Sequence, residues 1–224
     1  MTLGFIVVKK RRLRILVTAG PTQEPIDPVR FISNRSSGVM GYEIARAAKR
    51  RGHAVTLISG PTALRPPKGA KLLRIRTVSD LKRATLSRLR RSDCLFMVAA
   101  VSDWRIPKFC RTKIKRAKRT LRLLLEPTPD ILALAGRKKG KTILVGFSLE
   151  TKADLDASRG KIKKKNLDLI VANSFNGAKD PFGNKKVKSF IVHRSGEVER
   201  LPFLSKGKIA SLLVDRVEKL ANSL

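Results

Sequence analysis

The sequence predicts an α/β protein with a doubly wound, Rossmann-like, mostly parallel sheet and an antiparallel C-terminal edge. Three observations predict this class. Short apolar runs of strand length alternate with amphipathic stretches of helix length, Gly or Pro directly follows several of the apolar runs, and the tail carries a hairpin pattern. A chain of 224 residues can bury one sizeable core, so a single domain over residues 1–224 is expected.

The first strand and helix are predicted on either side of a loop rich in turn-forming residues. Ile15, Leu16, Val17 and Ala19 form an apolar run that is too short for a globular helix, and Gly20 follows it, which favours a buried parallel strand. Ser36, Ser37 and Gly38 precede an apolar series with helical spacing. A helix capped by a serine hydroxyl is therefore predicted from about Gly38.

The later elements continue the alternation. Strands are predicted at residues 54–59, 72–76, 94–101, 120–126, 142–147 and 168–172, and helices at about 79–90, 131–137, 154–165 and 208–220. Ser79 is the expected cap of the helix at 79–90. Residues 187–193 and 197–201 flank Arg194-Ser195-Gly196 and predict a hairpin. Residues 106–119 are predicted to form a mobile, basic loop.

The composition limits the possible partners. The chain has 50 Lys and Arg against 17 Asp and Glu, a net charge of +33, so it should bind nucleic acid non-specifically. With one Trp and one Tyr it lacks the aromatic platform of a single-strand binder. His53 and His193 are isolated, and Cys94 and Cys110 are too few for a metal framework. Reduced thiols, a cytoplasmic location and no membrane span are expected.

The loop between the first strand and helix predicts a phosphate site. Free N–H groups at a helix start would face the carboxyl edge of the strand, where open α/β sheets bind ligands. Arg30 and Asn34 in the loop supply a cation and an amide donor. A G-x-G-x-x-G fingerprint and a P-loop are absent, so these features alone also fit a plain α/β turn.

Several stretches together resemble one family, phosphopantothenate-cysteine ligase, the ligase half of the bacterial bifunctional enzyme of coenzyme A synthesis. They span residues 18–173 in the family's order and read TAGPTQEPIDPVRFISNRSSGVMG, AAVSDW, KIKR, PTPDIL, GFSLET and KKNLDLIVAN. The resemblance implies that the carboxylate of 4'-phosphopantothenate attacks CTP to give an acyl-cytidylate and pyrophosphate. The amine of L-cysteine then displaces CMP, which splits a difficult amide synthesis into two steps. An ATP-dependent version of the same ligase is left open.

The resemblance also implies residue roles. Asn34 matches the residue that contacts the acyl-phosphate intermediate, and Arg30 matches the preceding Arg of the same motif. Lys113 matches the first Lys of a mobile K-x-K-K lid used in the second half-reaction, here placed at about residues 106–119. Arg116 stands where the family has Lys, and the two side chains are not equivalent donors.

Most of the implied site residues contact the nucleotide. Asp103 would approach the triphosphate through Mg²⁺, and Gly20, Ser36, Ser37 and Gly38 would bind phosphate. The other implied nucleotide contacts are Ala99, Ala100, Lys113, Pro129, Asp130, Ile131, Leu132, Phe147, Lys161 and Lys165.

The resemblance implies a homodimer, and two other classes of protein remain as alternatives. Only about a dozen residues precede the first strand, so two arrangements are left open for the phosphopantothenoylcysteine decarboxylase of the pathway. It is expected to be a separate chain unless this sequence is part of a longer protein. A basic nucleic-acid-binding protein would explain the charge but not the Asn34 loop. An NAD-dependent oxidoreductase would fit the β-α order but lacks its glycine fingerprint.

Overall fold

A computed structural model describes residues 11–116, 120–150, 155–174 and 186–223. The strands are β1 (Arg14–Ala19), β2 (Gln23–Pro25), β3 (Phe31–Ser33), β4 (Ala54–Ser59), β5 (Lys71–Arg74), β6 (Cys94–Met97), β7 (Trp104–Arg105), β8 (Glu126–Pro127), β9 (Ile143–Glu150), β10 (Leu169–Ser174), β11 (Val187–His193) and β12 (Val198–Leu204). The helices are α1 (Val39–Arg50), α2 (Val78–Leu89), α3 (Ile131–Lys138), α4 (Leu155–Lys165) and α5 (Lys206–Asn222).

Eight strands form the main sheet in the order β12-β11-β10-β9-β6-β1-β4-β5. The pairs from β5 to β10 are parallel, whereas β11 pairs antiparallel with both β10 and β12. The predicted fold class, with its antiparallel C-terminal edge, is therefore confirmed. Two small two-stranded sheets, β2-β3 and β7-β8, lie outside this sheet.

Helices cover both faces of the sheet, and each face has its own apolar core. One core joins the sheet to α1 and α5 through residues such as Tyr42 and Leu213. The other joins it to α2, α3 and α4 through Leu81, Ile131 and Ile162. Burial on both faces explains why the parallel strands read as continuous apolar runs rather than as alternating patterns.

The prediction of a strand at residues 120–126 is wrong. Residues 120–125 form no strand, and Leu121 and Leu124 are 54% and 79% exposed. Only Glu126 and the residue after it pair with another segment, β7. In the main sheet β6 pairs directly with β9, so no position between them is open to this leucine-rich segment.

Two helix caps differ from the sequence prediction. In α2 the cap is Thr77 rather than Ser79: its Oγ1 accepts the N–H of Asp80 at 3.1 Å, and the Asp80 carboxylate accepts the N–H of Thr77 at 3.1 Å. In α1 the cap is Gly38 in a left-handed conformation. Serine hydroxyls nevertheless accept N–H groups at the helix start: Ser36 Oγ accepts that of Gly38 at 3.3 Å, and Ser37 Oγ accepts that of Val39, the first residue of α1, at 3.4 Å.

Within the described residues, no helix has both the length and the apolar character needed to cross a membrane.

Candidate functional site

A cavity of about 700 Å³ lies at the carboxyl edge of the parallel strands. It includes eight of the residues predicted for the site: Asn34, Ser36, Ser37, Gly38, Ala99, Ala100, Asp103 and Phe147. These residues come from the start of α1 and from the segments at the ends of β3, β6 and β9. The sheet topology thus brings together residues that are more than one hundred positions apart in the chain.

The start of α1 forms one wall of this cavity and depends on close backbone packing. Gly38 has φ +77°, and a Cβ there would lie 3.3 Å from the backbone N of Gly20. A Cβ on Gly41 would lie 2.6 Å from the Cβ of Ala19 in β1. The first turn of a helix has N–H groups without intrahelical acceptors, so this wall presents donors and the positive end of the helix dipole.

The segments that follow β1 and β6 are held together at the cavity. The Oγ1 of Thr18 accepts the N–H groups of Val98 at 2.9 Å and of Ala99 at 3.1 Å. The N–H of Ala100 donates to the carbonyl of Gly20 at 2.9 Å. Gly20 does not line the cavity; it packs against Gly38 and accepts the hydrogen bond from Ala100, and both of these residues do line the cavity. This lattice of backbone bonds fixes the positions of both strand ends.

Asn34 follows the β2-β3 hairpin, which the sequence patterns did not predict. Its Nδ2 donates to the carbonyl of Val101 at 2.7 Å, so the amide is anchored to the segment after β6. One further N–H and the side-chain oxygen remain for other partners. An anchored neutral amide in a cavity wall suits the stabilisation of developing charge on a carbonyl oxygen.

Asp103 is the acidic residue of the cavity wall, and its side chain is exposed. Among the described residues, no group of three or more His, Cys, Asp or Glu could hold a metal ion. A single open carboxylate fits an ion bound mainly by phosphate oxygens and water, which is the usual state of Mg²⁺ beside a nucleotide. It does not fit a protein-enclosed metal centre.

Arg30 and Lys113 do not line the cavity. The guanidinium of Arg30 donates to the carbonyl of Ile114 at 2.6 Å and lies 3.3 Å from a carboxylate oxygen of Asp27. Lys113 is exposed, next to Ile114 in the loop predicted as a lid. In this structure Arg30 therefore contacts the loop backbone, and the loop places Lys113 outside the cavity.

Asp27 is a residue of this region that sequence reasoning missed. Its side chain is fully buried and accepts the N–H groups of Val29 and Arg30 at 2.8 Å and of Ile114 at 3.2 Å. Burial alone would raise the pKa of Asp27, but these hydrogen bonds and the charge of Arg30 outweigh it and lower the pKa. A hydrogen bond between backbone groups, from the N–H of Cys110 to the carbonyl of Ile26 at 3.1 Å, also joins the basic loop to the turn between β2 and β3.

A smaller cavity of about 260 Å³ adjoins the first and shares Phe147, Ser148 and Leu149 with it. It contains three further predicted nucleotide residues: Leu132, Lys161 and Lys165. The predicted set is therefore divided between two neighbouring cavities.

The remaining predicted nucleotide residues surround the start of α3. Asp130 caps α3, accepts the N–H of Ala133 at 2.9 Å and pairs with Lys165 at 2.8 Å. Burial would raise the pKa of Asp130, but Lys165 and the backbone donors outweigh it and lower the pKa. Pro129 is half-buried, and Ile131 is a core residue that is 2% exposed. Neither lines the two cavities, so their side chains support the turn.

Sequence reasoning also missed Ser148, Asn173 and Lys206, which line the large cavity. Lys206 is the first residue of α5 and is only 7% exposed, which is unusual for a lysine. Among so many Lys residues nothing in the pattern marks this one. Only the parallel pairing of β9 and β10 could have indicated Asn173, since it lies near the end of β10, opposite Leu149 of β9.

A family model described as the DNA/pantothenate metabolism flavoprotein C-terminal domain matches residues 10–220. The chain belongs to this family. A match over nearly the whole chain agrees with the resemblance inferred from the six sequence stretches.

Relatives with similar sequences include the coenzyme A biosynthesis bifunctional protein CoaBC of Bacillus subtilis strain 168. It is 39% identical over 208 residues, which cover 92% of this chain and 51% of the relative. A protein of an unknown prokaryotic organism, named cysteine/cysteine sulfinic acid decarboxylase, is 38% identical over 206 residues, covering 91% of this chain and 57% of the relative. The chain spans about half the length of the curated relatives it matches.

The crystal structure of the C-terminal domain of CoaBC is similar over almost its full length. It covers 95% of this chain and 97% of that domain, with a TM-score of 0.81 and 35% sequence identity. The C-terminal domain of CoaBC therefore has the same arrangement of strands and helices as this chain.

Proposed function

We propose that this chain ligates 4'-phosphopantothenate with L-cysteine to give 4'-phosphopantothenoyl-L-cysteine, using CTP through an acyl-cytidylate intermediate. The observation that carries the proposal is the cavity at the carboxyl edge of the sheet. It combines a helix start, the anchored amide of Asn34 and the Asp103 carboxylate. Family membership and the CoaBC relatives support the ligation step. We propose CTP rather than ATP as the nucleotide because the short sequence motifs match those of the bacterial members of the family.

Several groups of the cavity suit the first half-reaction. The donors at Ser36, Ser37 and Gly38, with the positive end of α1, can hold a phosphate group. The amide of Asn34 can donate to the carboxylate oxygen while that carboxylate attacks the nucleotide. Because the Asn34 amide is neutral, it can donate a hydrogen bond to this oxygen both in the charged carboxylate and in the uncharged carbonyl of the mixed anhydride.

The smaller cavity suits the nucleotide. Lys161 and Lys165 supply positive charge beside the apolar side chains of Leu132 and Phe147. Asp103 would hold Mg²⁺ together with phosphate oxygens and water, and this ion supplies charge neutralisation to the triphosphate. These assignments come from the family resemblance, and the positions of the side chains around the two cavities support them.

Lys113 and Arg30 belong to the second half-reaction in this proposal. Asp27 and Arg30 fix the backbone of Ile114, so they determine where Lys113 stands. Movement of this loop toward the cavity would bring a cation to the leaving CMP. Arg30 then acts as a positioning residue.

The proposed partners follow from the same chemistry and from the relatives. We infer a homodimer in the cytoplasm and a phosphopantothenoylcysteine decarboxylase that consumes the product. The name of CoaBC as a bifunctional protein supports a decarboxylase partner. Sedimentation of the purified chain tests the dimer directly.

The deciding experiment measures pyrophosphate release with 4'-phosphopantothenate, Mg²⁺ and either CTP or ATP, with and without cysteine. We expect release with CTP that depends on phosphopantothenate, and CMP formation only when cysteine is added. The same pattern with ATP would change the nucleotide, whereas no release with either would refute the ligase. Carbon dioxide release from cysteine alone tests the activity in the name of the other relative.

Asn34→Asp tests the role of the amide. A carboxylate at this position would repel the substrate carboxylate and remove a donor, so pyrophosphate release should fall about a hundredfold or more. Asn173→Asp, in the same cavity wall but on β10, is the matched control for added negative charge. Equal losses in both variants would contradict a specific role for Asn34.

A further inference from the structure

Ser148 carries a buried hydroxyl without a hydrogen-bond partner among the described residues. Its Oγ is shielded from solvent although the residue itself is only half-buried. An unpaired polar atom of this kind costs free energy, and such atoms are rare in native proteins. One other side chain of the described residues shares this state, the Oγ1 of Thr85 in α2.

The position of Ser148 differs from that of Thr85. Ser148 lies in the wall that separates the two cavities and lines both of them. Thr85 is fully buried in α2 and lines neither. The side chain of Ser148 therefore borders a space that a ligand can enter, and rotation about its χ1 bond turns the shielded hydroxyl toward that space. The hydroxyl of Thr85 lies within the core.

The strand direction identifies the side of the sheet on which Ser148 lies. Leu144 belongs to the core under α2, α3 and α4, whereas Val145 belongs to the opposite core. Side chains alternate along a strand, so Ser148 shares the face of Leu144. That face carries the smaller cavity with Lys161 and Lys165.

The smaller cavity combines this hydroxyl with two ammonium groups. Its other lining side chains, apart from Phe147 and Leu149 of β9, are leucine and isoleucine. A hydroxyl donor beside cations and among apolar walls is complementary to an anionic oxygen. A phosphate oxygen of a nucleotide has this chemistry, and the described lining side chains show no base-specific donor pattern.

We propose that the Ser148 hydroxyl donates a hydrogen bond to a phosphate oxygen of the bound nucleotide. The proposal rests on the proposed function, since it assumes that the two cavities receive a nucleotide. It makes Ser148 a binding residue that is unpaired only while the site is empty.

Ser148→Ala tests the proposal because it should stabilise the free protein but weaken its binding of the nucleotide. Without nucleotide, removal of an unpaired hydroxyl should raise the melting temperature by about 2–4 °C. With nucleotide, loss of a hydrogen bond to a charged group should weaken the binding of CTP about tenfold. Calorimetric titration of the whole chain with CTP and with inorganic pyrophosphate measures both dissociation constants.

Thr85→Val is the matched control, since it removes the other unpaired hydroxyl at nearly constant volume. It should raise the melting temperature and leave the affinity for CTP unchanged. Unchanged CTP affinity in Ser148→Ala would overturn the proposal. Weaker CTP binding without weaker pyrophosphate binding would overturn the assignment to phosphate. If the wild-type chain binds neither probe, the proposed function fails, whereas the melting temperatures still report on the unpaired hydroxyl.

Discussion

At the scale of single residues, Asp27 has contacts that join two parts of the site. Its carboxylate receives three backbone N–H groups, one of them from Ile114 in the basic loop. A buried carboxylate with three donors is held by strong, charge-assisted bonds. Asp27 lies in the turn of the β2-β3 hairpin, and Asn34 directly follows that hairpin. The hairpin therefore positions the Asn34 amide and, through Asp27, also holds the basic loop at Ile114.

Asp27→Ala should free this loop. The substitution removes the acceptor of the Ile114 N–H and the partner of Arg30, so the loop should become a better protease substrate. Limited digestion with trypsin, followed by mass spectrometry, should show cleavage after Lys113 and Lys115 at least about tenfold faster than in the wild type. Asp156→Ala is the control, because Asp156 is exposed and its one ion pair within the described part of the chain is with Arg159 of its own helix. Equal cleavage rates in the two variants would contradict the role of Asp27.

At the scale of elements, the approach of α1 to β1 sets the position of the helix start. Gly41 makes this approach possible because it has no Cβ. Val39, Met40, Tyr42 and Ile44 bury the rest of the helix face. The same packing therefore stabilises the core and positions the donors of the cavity.

Gly41→Ala should destabilise the protein although alanine favours helices. The new Cβ would lie 2.6 Å from the Cβ of Ala19, so α1 must shift, at a cost of about 1–3 kcal/mol. Thermal unfolding should show a melting temperature that is lower by several degrees. Gly160→Ala in α4 is the control: nothing lies within 4 Å of its Cβ position, and a gain of about 0.5–1 kcal/mol is expected. A stabilised Gly41→Ala would show that the contact is not tight.

The elements also show what sequence patterns can predict. Strands buried on both faces and helices with one apolar face were predicted within a few residues, since burial imposes the pattern directly. The β2-β3 hairpin was missed because its three-residue strands carry no alternation. The leucines near residue 123 were wrongly assigned to a strand. An apolar run forms a strand only where a neighbouring strand is available for pairing, and the main sheet has no such position for this segment.

Among the site residues, the limits of prediction have a similar cause. The residues grouped in the large cavity follow strand ends, and the rule about carboxyl edges predicts that such residues meet. Ser148 and Lys206 were missed because an unpaired hydroxyl and a buried lysine are defined by their surroundings. The positions of Arg30 and Lys113 relative to the cavity depend on loop contacts, which have no sequence period.

At the scale of the whole molecule, basic residues concentrate at the edge of the sheet opposite the cavities. Two adjoining grooves of about 720 and 610 Å³ share Arg14 and Ser92. We call them the basic groove; their basic residues are Arg11, Arg12, Arg14, Lys49, Lys71, Arg88, Arg90, Arg91, Arg137, Lys138, Lys139 and Lys141. Helix ends account for some of this charge, because cations stabilise helix C-termini. Arg12, Lys71 and Lys141 lie outside the helices.

The basic groove should dominate the non-specific binding of duplex DNA. None of its described lining residues is aromatic, so contacts to the phosphate backbone are expected. The triple variant Arg12→Glu, Arg91→Glu and Lys141→Glu should weaken binding at least about tenfold and flatten its salt dependence. Fluorescence anisotropy with a labelled duplex at several KCl concentrations measures both quantities.

A control with the same change in net charge separates location from total charge. Lys82→Glu, Arg122→Glu and Arg200→Glu replace exposed residues outside the basic groove. This variant should retain most of the affinity for duplex DNA. Equal weakening in both triple variants would show that the overall charge, and not the groove, controls binding.

The two thiols of the chain differ in a way that makes selective labelling practical. Burial raises the pKa of the Cys94 thiol, which lies in the core, so it should resist alkylation in the folded protein. Cys110 is exposed and lies in the loop held by Asp27 and Arg30. One equivalent of a maleimide dye should therefore attach beside Lys113 without any engineered cysteine. The wild-type sequence thus provides its own fluorescent reporter for loop movement during turnover.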